Sequence, residues 1–184
     1  MNARKVFISS KMKSKIWTVM RYHMRRGDKG IMDTRLLKKI LRSAKYVTLA
    51  MSKVNQPYLV SLCYGYDDEK NCIYFHCAKE GKKIDYLKAN NLVWGQVLLD
   101  YGYSRSEDPC KGDYLYASVH FSGRVTFPED PKEKQHAMKC IIRQLDNNPD
   151  PLIKRLNPER LSRTTIGRID IDYMSGKKPK EVGV

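Results

Sequence analysis

Residues 114–127, YLYASVHFSGRVTF, constrain this chain more than any other stretch. Leu115, Ala117, Val119, Phe121, Val125 and Phe127 share one parity; Tyr114, Tyr116, Ser118, His120 and Ser122 take the other. A period of two over that length specifies a long strand with one buried face, bent where Gly123 offers no side chain to pack. Such a strand needs partners, and five further runs have strand character: 46–51, 58–66, 72–77, 92–103 and 164–174. The turn residues of 55–57 and 67–71 separate some of these runs by hairpin lengths.

Helical periodicity lies between and beside them. A helix capped by Asp33 or Thr34 carries Leu37, Ile40, Leu41 and Ala44 on one face. A second opens near Lys82. A third starts at Pro131 with Ala137, Met138, Ile141, Ile142 and Leu145 as its apolar stripe, and NPDP at 148–151 ends it. Hairpins outnumber strand–helix–strand units, so the pattern predicts a mainly β protein: a six-stranded antiparallel barrel with flanking helices.

A chain of 184 residues is long enough for one domain with a real core. Its parts read as a basic N-terminal arm over 1–30, the barrel domain over 31–177 and a soluble tail over 178–184. The formal charge of +15 favours phosphorylated or polyanionic partners. Nucleic acid would be one, but the strand aromatics form no RNA-binding motif. Five cysteines without a CxxC pair suit a reducing cytoplasm better than a disulfide scaffold. Cys72, His76 and Cys77 have no nearby partner pair, so no metal is expected there. Neither a signal-type apolar segment nor a membrane-spanning run is indicated.

Chemistry concentrates at IYFHCAKEGKKIDYLKAN, residues 73–90. A strand feeds a helix through Gly81, and Lys82 and Lys83 open the helix. Unpaired amide N–H groups and the helix dipole make such an end an anion site, which two ammonium groups reinforce. A plain strand–helix joint with solvated lysines is the other reading of the same residues. His76 alternates with Phe75 and so points away from the core if Phe75 enters it. There is no serine triad and no paired carboxylate in an apolar setting, so catalysis here would need a cofactor.

Five segments in order, LLKKILRSAKYVTLAM, QPYLVSLCYGYD, IYFHCAKEGKKIDYLKAN, YASVHFSGRV and IDYMSGKK, resemble the flavin-binding split-barrel family of the pyridoxamine 5′-phosphate oxidases. The likeness is greatest to the branch that includes nitroimidazole-resistance proteins. It implies a six-stranded split barrel of FMN-binding type, a homodimer with flavin mononucleotide between its subunits, and reduction of a small acceptor by NAD(P)H. By the same resemblance Val60, Ser61 and Leu62 run beside the flavin ring, and His76 and Cys77 face it. Gly81, Lys82 and Lys83 hold its phosphate, Ser118 reaches it from the long strand, and His76 is the candidate catalytic group. Met174 stands where pyridoxamine-phosphate oxidases place a Trp, and no His follows, which argues against pyridoxamine phosphate as substrate. A flavin- or haem-binding module without turnover is the alternative the resemblance allows.

Overall fold

The computed structural model describes residues 24–184; most of the basic arm lies outside the described residues. Among the described residues, eight antiparallel strands form one open sheet: β1 (Gly30–Ile31), β2 (Tyr46–Lys53), β3 (Gln56–Cys63), β4 (Gly65–Asp67), β5 (Cys72–Cys77), β6 (Leu92–Ser104), β7 (Asp113–Thr126) and β8 (Thr165–Lys177). Their order is β3-β2-β6-β7-β8-β5-β4, with β1 on β8. The helices are α1 (Thr34–Ser43), α2 (Lys82–Ala89), α3 (Pro131–Leu145), α4 (Pro149–Lys154) and α5 (Pro158–Ser162).

The sheet has eight strands and is unclosed, where a six-stranded split barrel was expected, although its six long strands are the six expected ones. The two additions are short. β1 is two residues long, and β4 is split from β3 at the fully buried Tyr64. The hydroxyl of Tyr64 donates to the Leu41 carbonyl at the end of α1, which turns the chain out of the β3 ladder. The first hairpin also turns earlier than expected, on Val54 and Asn55, both with positive φ (47° and 62°). That is a two-residue turn whose twist matches the strands it joins.

β7 follows its pattern: Ala117, Val119, Phe121 and Val125 are buried, and the register with β8 shifts between Ser122 and Gly123. The main core gathers these residues with Val47, Leu49, Ile73, Phe75, Val93 and Ile169, and α1 adds Leu37, Ile40 and Leu41. Asp33 caps α1 by accepting from the Arg35 amide at 2.8 Å. The C-terminal end of α1 is served from afar. Gln144 of α3 donates its amide to the carbonyls of Leu41, Arg42 and Ala44 at 2.6–2.9 Å, satisfying buried acceptors that a helix end leaves open.

Gln144 therefore belongs to the buried face of α3. That face is Lys134, Ala137, Ile141 and Gln144, while Leu145 is 37% exposed. The polar ends turn inward because each has a built partner: Lys134 pairs with Glu129 at 2.8 Å. The segment after α3 holds α4 and α5, each started by a proline in its first turn. At the other end of the chain Val182 is 4% exposed and packs into the main core, held by Lys178 Nζ donating to its carbonyl at 2.7 Å.

Candidate functional site

β5 has two covered faces. Ile73 and Phe75 enter the main core, whereas Cys72 and Tyr74 pack beneath α3 with Ala137, Ile141 and Ile166. His76 continues the Cys72 and Tyr74 side past the end of that cover and is exposed. Cys77 lies half-buried against the main core, and burial raises its thiol pKa against the opposing pull of the Lys83 ammonium.

The chain then reaches Gly81 at φ +118° and ψ 172°, a conformation that L side chains rarely adopt. α2 starts there without a side-chain cap; the Gly81 carbonyl accepts from the Asp85 amide at 3.1 Å. Ile84, Tyr86 and Leu87 anchor the helix in the core. Its first two lysines are held by rings at their flanks. Lys82 Nζ stands 4.6 Å over the Tyr58 ring of β3 and 5.7 Å from Tyr86, and Lys83 Nζ is 5.4 Å over Phe75. Tyr58 and Tyr86 are themselves 5.2 Å apart. Cation–π contacts of this kind restrain an ammonium without neutralising it. The helix end, the glycine and both positive charges thus form one preorganised rim beside β3, a donor set that fits a phosphate monoester.

On β3, Val60 and Leu62 pack towards the core while Ser61 is exposed, with its hydroxyl 3.0 Å from that of Thr48. Register carries a polar row outward from there: Ser61 pairs with Thr48, Thr48 with Gln96, Gln96 with His120, and His120 with Ser175. Directly paired residues share a face of a sheet. Ser118 is two residues from His120 on the same strand, 2% exposed, with its hydroxyl donating to the Lys177 carbonyl at 3.5 Å. Three strand spacings separate it from β3, roughly 14 Å. The fold therefore joins 58–62 to the Gly81 rim through Tyr58, but keeps Ser118 apart within one chain.

His120 is exposed, as its outward parity on the strand indicated, and it also lines a cleft of about 680 Å³ with Trp94, Tyr173 and Met174, among others. Desolvation by the cleft walls, then Lys177, lowers its imidazole pKa, which favours the neutral ring. The signal that could have found this cleft was present: Trp94 and His120 are outward residues of neighbouring strands. Their meeting with Tyr173, whose ring is 6.2 Å from that of Trp94, depends on register alone.

Comparison with known proteins fits this architecture. The pyridoxamine 5′-phosphate oxidase family profile matches residues 33–178. No curated protein matches the sequence. Among solved structures, a candidate 5-nitroimidazole antibiotic resistance protein from Bacteroides thetaiotaomicron superposes with a TM-score of 0.68 at 25% identity, over 80% of this chain and 85% of that one. A flavocytochrome from Azotobacter vinelandii gives 0.74 at 15% identity, over 89% and 75%. A FAD- and haem-binding protein from Mycobacterium smegmatis gives 0.73 at 13%, over 85% and 76%. With the family profile spanning most of the sequence, the chain belongs to the pyridoxamine 5′-phosphate oxidase family.

Proposed function

We propose that this protein is an FMN-binding oxidoreductase that works as a homodimer, reducing small aromatic acceptors at the expense of NAD(P)H. The observation that carries the reading is the rim at Gly81, Lys82 and Lys83: an uncapped helix end with two ring-held ammonium groups, adjoining β3. Lys82, Lys83 and the first amides of α2 would hold the phosphate, and the β3 backbone near Val60, Ser61 and Leu62 would edge the ring. Bound FMN supplies two-electron redox chemistry that the side chains lack. His76, exposed where β5 leads towards the rim, would orient an acceptor or hand it a proton; Cys77, half-buried, would pack against the ring.

The second subunit enters because of Ser118 and the outer sheet face. Leu59, Tyr46 and Leu98 are 63%, 54% and 38% exposed on the neighbouring strands β3, β2 and β6. They share parity with the outward Ser61, Thr48 and Gln96. An apolar, outward stripe of this kind suits a second copy, which would bring its own β7 to this chain's β3. The name of the Bacteroides neighbour supports a nitroaromatic acceptor.

One observation favours the second reading, a flavin- or haem-binding module without turnover. His120 faces the apolar cleft with its protonated form disfavoured, the state in which an imidazole can ligate haem iron. A visible spectrum of the desalted protein, before and after FMN and then haem, separates the two. Retained flavin bands that bleach under NADH or NADPH support the oxidoreductase. A Soret band with no nicotinamide response replaces it by the module, and uptake of neither ligand removes both.

A further inference from the structure

α3 crosses β4 at unusually short range. A Cβ built on Gly65 would lie 2.4 Å from the Cys140 carbonyl carbon and the Ile141 amide nitrogen, so the helix backbone rests directly on the strand. That approach brings Asp67, at the end of β4, against His136 and Cys140, which stand one helical turn apart on α3. Asp67 is 7% exposed, and its Oδ2 is 2.6 Å from His136 Nε2. Cys140 Sγ is 3.5 Å from the same nitrogen.

This is not the geometry of a catalytic triad, in which carboxylate and nucleophile occupy opposite nitrogens of the ring. Carboxylate, imidazole and thiol converge on one side instead, with all three ligand atoms within 4.8 Å of one another. Two ligands around a tetrahedral zinc ion, bound through nitrogen at about 2.0 Å and sulfur at about 2.3 Å, are separated by about 3.5 Å. The Cys140 and His136 atoms have that separation already. Asp67 and His136 are closer than a shared ion would keep them, by roughly 0.7 Å.

We infer that Asp67, His136 and Cys140 form a zinc site joining β4 to α3, with a fourth position left to water or a small ligand. The donor set is the mixed oxygen, nitrogen and sulfur set that zinc accepts. A backbone hydrogen bond orients Asp67, since the Lys70 amide donates to its other oxygen at 3.1 Å and leaves Oδ2 for the ion. The His136 ring is steadied edge-on by Tyr74, 5.9 Å away at 79°. Ionised Asp67 and the Cys140 thiolate, formed as its proton leaves to solvent, balance the two charges of the metal. Two of the nearby cations are offset, since Arg42 and Lys38 both pair with Asp68. A cavity of about 400 Å³, bordered by Arg42, Glu69 and Arg143, gives the ion a way in. The site is separate from the Gly81 rim and does not depend on flavin binding.

The test uses the full-length, cofactor-free protein with zinc, in competition with a chromophoric chelator, and then with cobalt as a spectroscopic substitute. The expected result is one zinc per chain and a thiolate-to-cobalt charge-transfer band. Cys140→Ser should remove the band, and His136→Ala should weaken zinc binding at least about tenfold. Cys140→Ala keeps a small apolar side chain against the strand and serves as a second variant if either other folds poorly. Cys63→Ser with Cys110→Ser, both exposed positions, should change nothing. No uptake by the wild type, or uptake that survives both Cys140→Ala and His136→Ala, overturns the site.

Discussion

Two helices of this protein meet the sheet at a glycine, and the reasons are opposite. At Gly81 there is open space: a Cβ would meet nothing within 4 Å, but φ is +118°. At Gly65 the backbone is ordinary, and the obstacle is the α3 main chain 2.4 Å from where a Cβ would sit. The first glycine shapes a local joint that exposes amides and lysines at a rim. The second permits a long-range contact, closing Asp67 on His136 across 69 residues of sequence. Residues that make the rim are neighbours in the chain; residues that make the seam are neighbours only in the fold.

The sharpest way to break this contrast is Gly65→Ala. The clash is with backbone, which cannot rotate away, so the loss should be about 3 kcal/mol, read as a lower urea midpoint at unchanged slope. A loss below about 1 kcal/mol would mean that α3 can lift off β4 freely, and the seam would not be the rigid element described. At the rim the large effect should be on ligand and not on folding. Lys82→Ala with Lys83→Ala is expected to weaken FMN binding by about 2 kcal/mol, some thirtyfold, while the urea midpoint stays nearly fixed. Equal affinity would remove the phosphate assignment.

Gly81→Ala sharpens the comparison from the other side. It should cost about 1 to 2 kcal/mol of stability through φ alone, less than Gly65→Ala, and it should also weaken FMN because the helix end shifts. If the two alanine variants were equally stable, packing and dihedral strain could not be told apart here.

The smallest effect concerns pH at the seam. Glu133 of α3 accepts from Arg168 at 2.7 Å and from the Tyr74 hydroxyl at 3.1 Å. The Arg168 hydrogen bond, against some burial, holds its carboxyl below the usual glutamate range. A carboxylate depressed in the folded state contributes stability that is present above its unfolded pKa and lost as pH falls through the folded one. Stability of the wild type should therefore drop from about pH 4 downwards more steeply than that of Glu133→Gln. Parallel curves would show that the pair is worth nothing at this seam.

The same contrast explains what could be read from the residues in advance. The six long strands were legible because alternation is local, and the cap at Asp33 and the start at Pro131 were legible because each motif lies within one turn. The Gly81, Lys82 and Lys83 joint was legible for the same reason. The inward turn of Lys134 and Gln144 was not. Their partners are the Glu129 carboxylate and the α1 carbonyls, and the second of these lies about a hundred residues away. Tyr64 divided an apolar run by one hydroxyl bonded to another element, which no pattern within the run announces. The Asp67, His136 and Cys140 group was invisible for the same physical reason: its spacing in sequence carries no metal signature until a glycine lets two backbones touch.

Trp94, placed by register at the wall of the cleft beside His120, has an optical consequence. The sequence contains two tryptophans, Trp17 and Trp94. With Trp17 replaced by Phe, indole emission would come from the cleft wall alone. A ligand that absorbs in the near ultraviolet would quench that emission as it arrives, whereas zinc at the α3 seam would leave it unchanged. A single fluorophore would thus report occupancy of the cleft alone, with zinc present or absent.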